Sequence, residues 1–172
     1  GTTQYDLDRL AILISLHQPR QLIVLGDLIH STRSKSWNVL DQLQRWRTEF
    51  SDLKIMLIQG NHDRESGDPP VELNIDRIQN EYRVGTIIFS HQPRRRAAGY
   101  TIAGHVHPAV SLKGKGRRHE RFPCFYFSPD YAILPSFGSF TGHHLIRPAA
   151  EDRVYIVAED QIMPAPKRAA IH

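Results

Sequence analysis

Four short segments of this chain carry residue types able to bind metal ions or move protons: Gly26-Asp27-Leu28-Ile29-His30, Gly60-Asn61-His62-Asp63, Ser90-His91-Gln92-Pro93 and Gly104-His105-Val106-His107-Pro108. Taken singly each is weak, because a Gly-Asp or Ser-His step is ordinarily a turn or a satisfied polar residue. The two rings of His105-Val106-His107 share a face if the segment is extended, since side chains alternate along a strand. Together the segments supply a carboxylate, an amide oxygen and several imidazoles, with no thiolate. That set suits Mn, Fe or Zn in open coordination better than a closed structural zinc site, which usually uses Cys. A carboxylate can bridge two ions, and two ions roughly 3.5–4 Å apart can activate water and neutralise both oxygens of a phosphoryl displacement. The pattern predicts phosphate ester hydrolysis.

Elements able to position these segments follow from apolar spacing. Residues 4–17 place Leu7, Leu10, Ala11 and Ile14 at helical intervals, with Asp6 and Asp8 near the start, where the helix dipole favours anions. Residues 37–50 repeat the helical pattern through Trp37, Leu40, Leu43, Trp46 and Phe50. The apolar runs 21–25 and 54–58 read as buried parallel strands, each breaking into one of the polar loops. Ligands bind beyond the carboxyl ends of such strands. The second half is read as short strands at 82–84, 86–89, 100–103, 109–112, 122–127 and 131–134, separated by Gly and Pro. The expected fold is α/β, with two sheets face to face and helices outside. Residues 1–163 form one domain and 164–172, rich in Ala, Pro and basic residues, a mobile tail.

The 172 residues fit one domain with a hydrophobic core, and 40% hydrophobic with 23% charged residues excludes disordered and collagen-like classes. The one cysteine, Cys124, allows no intrachain disulfide, and no secretory leader is legible, so a reducing, cytoplasmic setting is expected. No apolar run approaches the roughly 20 residues of a membrane span, so no membrane partner is expected. A net charge of +4, with basic runs at 94–96 and 113–121, is compatible with a polyanionic partner.

The order Gly26-Asp27, Gly60-Asn61-His62-Asp63, His91 and Gly104-His105-Val106-His107 resembles the calcineurin-like metallophosphoesterase superfamily. Gly1-Thr2-Thr3, the 26–30 loop, Ile102 to Pro108, Arg121 to Phe125 and Leu134 to Gly142 are similar to the ligase-associated DNA-damage-response phosphoesterases within it, nearly end to end. The resemblance implies a four-layer α/β/β/α sandwich around two divalent ions, most often manganese, with Fe or Zn as alternatives. It also implies phosphodiesterase or endonuclease activity in DNA repair, beside a DNA ligase and a helicase.

Carried over by that resemblance, Asp27 is the bridging carboxylate, Asn61, His91 and His105 complete one metal site, and His107 binds the other ion. His62 then stands by the scissile phosphate to protonate the leaving oxygen, with Asp63 holding its ring. His30, Arg64 and Thr141 are candidates for supporting or substrate contacts. The family's leading Asp-x-His segment has no counterpart in this sequence. A stretch upstream of Gly1 is therefore expected to be missing, along with one or more N-terminal strands. An exposed sheet edge would follow, which favours a homodimer. This chain would then be weakly active or inactive.

The leading expectation is a binuclear metal-dependent phosphodiesterase acting on DNA. One alternative is a catalytically impaired nucleic-acid-binding or complex-forming repair subunit. Another is a phosphodiesterase for a small substrate such as a cyclic nucleotide.

Overall fold

The computed structural model describes residues 2–28, 37–66, 68–96, 98–113, 119–138, 142–159 and 161–166. His30, Thr141, most of the 113–121 basic run and the last six residues lie outside them. The chain divides into two compact units, residues 1–82 with 137–140, and residues 83–136 with 141–172.

The first unit is a three-stranded parallel sheet in the order β1 (Gln21–Val24), β2 (Lys54–Ile58), β3 (Ile75–Ile78). It carries the helices α1 (Thr2–His17), α2 (Trp37–Glu49) and α3 (Asn61–Ser66). Ile14, Leu53 and Ile55 form its core, with Leu10, Leu22, Val24, Trp46, Phe50 and Ile75 packed against them. α1 begins at Thr2, so Asp6 and Asp8 fall beyond its first turn, and Asp6 instead pairs with Arg9 at 3.7 Å. Its apolar residues cover more than one face: Leu7 and Ile14 are buried, while Ile12 and Leu16 are exposed. The buried Arg47 is satisfied by carbonyls rather than a carboxylate, donating from Nε to Leu73 O at 2.8 Å and from Nη1 to Phe50 O. It thereby ties α2 to the 3-10 turn Val71–Leu73.

The second unit holds a nine-stranded mixed sheet and, among the described residues, no α-helix. Its strands are β4 (Glu81–Val84), which straddles the unit boundary, then β5 (Ile87–Ser90), β6 (Tyr100–Ala103), β7 (Pro108–Lys113), β8 (His119–Phe127), β9 (Tyr131–Ile133), β10 (His144–Leu145), β11 (Arg153–Ala158) and β12 (Gln161–Pro164). The main order is β10-β7-β8-β9-β6-β5-β4, and β11 joins β8 and β12. β5, β6 and β9 run parallel, whereas β8 is antiparallel to β7, β9 and β11. Val110, Cys124 and Ile156 anchor a core between the long strands.

Five helices and strands extend the architecture expected from the sequence: α3 in place of a polar loop, and strands β3, β10, β11 and β12. The last carries pairing to the edge of the expected tail, where the Ala165 N–H donates to Val154 O at 2.8 Å. Among the described residues, no helix is long and apolar enough to cross a membrane.

Candidate metal centre

In the first unit the register of β1 on β2 sets the geometry. Val24 pairs with Leu57 as the last step of the ladder, so the segments that follow, carrying Asp27 and Gly60, leave the same edge of the sheet. Gly60 opens α3, and Asp63 sits in that helix's first turn. The Asp63 Oδ2 reaches back to accept the Gly60 N–H at 2.9 Å, as an acidic residue at the third helical position does in a capping box. The same oxygen accepts the Asp27 N–H at 2.6 Å. Asp63 is 3% exposed, so these charge-assisted bonds form away from water, where they are strongest. In return the Asp27 Oδ1 accepts the His62 N–H at 3.1 Å. Asp27, Gly60 and His62 are thus locked to one another through two carboxylates.

An ionised carboxylate offers about four lone-pair sites, so accepting the His62 N–H does not by itself exhaust the Asp27 carboxylate. The Asp27 backbone is strained, with φ of +56°. Such a conformation is uncommon for a residue other than glycine and clusters at ligand-binding positions. Asn61 is exposed and His62 half-buried at the start of α3. Arg64 points elsewhere, donating from Nη2 to Gln79 O at 3.1 Å on the surface.

In the second unit the parallel pairing of β5 with β6 does the same work. Ser90 is in register with Ala103, and the ladder continues one step as the Gly104 N–H donates to His91 O at 3.1 Å. His91 and His105 therefore emerge together at the carboxyl ends of neighbouring strands. Their rings meet edge to face with centroids 4.6 Å apart, and they present ring nitrogens within 4.8 Å of one another. His91 is buried and His105 exposed.

His105 and His107 both have positive φ, +65° and +50°, which makes this connection a tight double bend rather than an extended strand. The His-x-His pair therefore does not share a face by alternation, as an extended reading of the segment required. Main-chain bonding pins its far end, where the His144 N–H donates to His107 O at 3.0 Å. The His107 Nδ1 lies 3.2 Å from Gly142 O. A carbonyl only accepts, so Nδ1 is the donor in this contact, the ring orientation that carbonyl partners impose on metal-ligating histidines. Gly142 was not singled out as a site residue from the sequence, although it closes the segment Leu134 to Gly142 that carries part of the family resemblance.

Each unit by itself offers groups of the kind that bind a divalent cation: the first a carboxylate fixed through its own backbone, the second a histidine pair in ring contact and a histidine whose Nδ1 is held by a carbonyl.

No family model matches the chain, and no curated protein matches it. Among solved structures, the crystal structure of Pseudomonas putida nuclease MPE is similar at a TM-score of 0.86 and 37% sequence identity, over 96% of this chain and 80% of that one. With that identity over nearly its whole length, and with the motif order Gly-Asp, Gly-Asn-His-Asp, His, Gly-His-x-His, the chain belongs to the metallophosphoesterase family of that nuclease.

Proposed function

We propose that this chain is a metal-dependent phosphodiesterase that cleaves nucleic acid in a repair setting. The fold would be a single four-layer α/β/β/α domain over residues 1–163, with 164–172 as a tail. The likeness to a nuclease carries the reading. Asp27, His91 and His105, with Asn61, would hold one divalent ion, and Asp27 and His107 would hold a second, manganese by family resemblance. Bound there, such ions polarise phosphoryl oxygens and lower the pKa of water at the site.

The protein's own groups supply the rest. His62, held by its N–H on Asp27, delivers a proton to the leaving oxygen. Asp63 keeps the Gly60 turn closed, so that Asn61 and His62 start α3 at a fixed place beside Asp27. In the second unit the β5–β6 ladder brings His91 and His105 out at neighbouring strand ends.

The test is calorimetric titration of Mn²⁺ together with hydrolysis of bis(p-nitrophenyl) phosphate and of a single-stranded DNA oligonucleotide. Slow Mn²⁺-dependent cleavage of both is expected, with His62→Ala reducing that turnover by about 10²–10⁴ while Mn²⁺ affinity stays the same. Tight metal binding without hydrolysis of either diester would transfer the chain to a binding-subunit role. Preference for a cyclic nucleotide over DNA would transfer it to small-molecule chemistry.

A further inference from the structure

At the opposite end of β6 from the histidines, the second unit contains a cavity of about 460 Å³. Tyr100, Phe127 and Tyr155 line it with Ser128 and the exposed Glu151 and Arg153. The walls are preformed. The Phe127 and Tyr155 rings meet edge to face at 5.9 Å, and the Tyr100 hydroxyl donates to Ser128 O at 2.9 Å. The Ser128 Oγ accepts the Asp130 and Tyr131 N–H groups at 3.3 and 3.1 Å, which closes the turn from β8 to β9. Gly99 lets the chain enter β6 tightly, since a Cβ there would lie 2.7 Å from Thr86 O.

The connection from β5 to β6 starts at His91 and ends beside Tyr100, joining the candidate metal centre to this cavity. It carries Arg94, Arg95 and Arg96, all exposed. Arg95 pairs with Asp130 at 2.9 Å on the β8–β9 turn, and Arg83 donates to Ala98 O at 2.9 Å. Tyr100 and Ala103 bound β6, about 10 Å apart at strand rise, and His105 follows two residues beyond Ala103. Aromatic faces at one end of a basic track form the arrangement that binds single-stranded nucleic acid, with bases stacking on rings and phosphates following the cations. Glu151 and Arg153 add an acceptor and a donor of the kind that base edges pair with.

We propose that this cavity takes a nucleobase of the substrate strand a few nucleotides from the scissile phosphate, with Arg94, Arg95 and Arg96 on the intervening phosphates. The assignment rests on the nucleic-acid reading above. It is tested by walking a single abasic position along a single-stranded oligonucleotide cleaved by the wild-type chain with Mn²⁺, which requires no variant. One position off the cleaved bond should raise KM about tenfold, as loss of one stacked base does, and the others should not. Tyr155→Leu, or the exposed Arg153→Gln if that variant fails to fold, should raise KM for the intact strand. Tyr155→Leu should also become indifferent to the sensitive position. Hydrolysis of bis(p-nitrophenyl) phosphate, which has no nucleobase, should be unaltered. A flat abasic profile, or an unchanged KM in the variants, overturns the pocket and leaves the nuclease reading standing. Failure of the wild-type chain to cleave DNA while it hydrolyses the chromogenic diester removes the nuclease reading and the pocket with it.

Discussion

The two units hold their candidate residues by different means. In the first, Asp27, Gly60 and His62 are tied through hydrogen bonds that converge on Asp63 and Asp27, so position depends on two side chains. In the second, His91 and His105 are carried by the main-chain ladder of β5 and β6, and position depends on the sheet. A hub concentrates risk, whereas a ladder spreads it. Loss of one side chain should therefore disorganise the first unit's candidate residues, while the second unit's should tolerate losing any single ring.

Asp27→Ala should have the largest effect on binding, because it removes both a proposed ligand and the acceptor for the His62 N–H. Mn²⁺ affinity should fall by more than about 100-fold, beyond the range for supporting residues, as read by calorimetry. Asp63→Ala touches no ligand atom, yet it should weaken Mn²⁺ binding by about 10–100-fold. It should also destabilise the chain by about 1–3 kcal/mol for each N–H left without its acceptor, measured by urea unfolding. If Asp63→Ala melts like the wild type, the first unit does not work as a hub.

His105→Gly sharpens the other side of the comparison. Glycine accepts positive φ without steric cost, so folding should be unchanged or strengthened by about 1 kcal/mol while Mn²⁺ affinity drops. Marked destabilisation would mean that the His91–His105 ring contact, and not the ladder, holds that end of the sheet.

The smallest effect concerns pH. Burial, reinforced by the hydroxyl's 2.7 Å bond to Asp152, pushes the Tyr126 phenol above its ordinary value. The neutral phenol is the form favoured by folding, so this contribution is fully present below pH about 10 and is lost as pH rises beyond it. Tyr126→Phe should flatten that alkaline slope in thermal melts taken between neutral pH and the alkaline limit.

The parallel half was legible wherever apolar runs were continuous, as at Ile23-Val24 and Met56-Leu57-Ile58, and the metal-binding types were legible from their order after those runs. α3 was not, because Asn61 to Ser66 contains no apolar residue to set a helical period, and its start is fixed by the Asp63 carboxylate. β3 was hidden for a similar reason. Its Asp76 and Arg77 are exposed, and pairing with β2 rather than composition makes it a strand. β11 is the opposite case, since Val154-Tyr155-Ile156-Val157 carries a plain β signal that could have been read. The double bend at His105 and His107 had no sequence signature beyond the tolerance of histidine for positive φ.

Cys124 lies midway along β8 with no exposure, between Val110 and Ile156, and burial pushes its thiol pKa up to about 12. Only the thiolate reacts, and here it is both scarce and sealed from solvent. Because the chain has no other cysteine, the rate at which a thiol reagent labels it measures how often the long strands of the second unit part. The protein thus carries its own chemical clock for the opening of the sheet that bears His91 and His105, readable by mass alone.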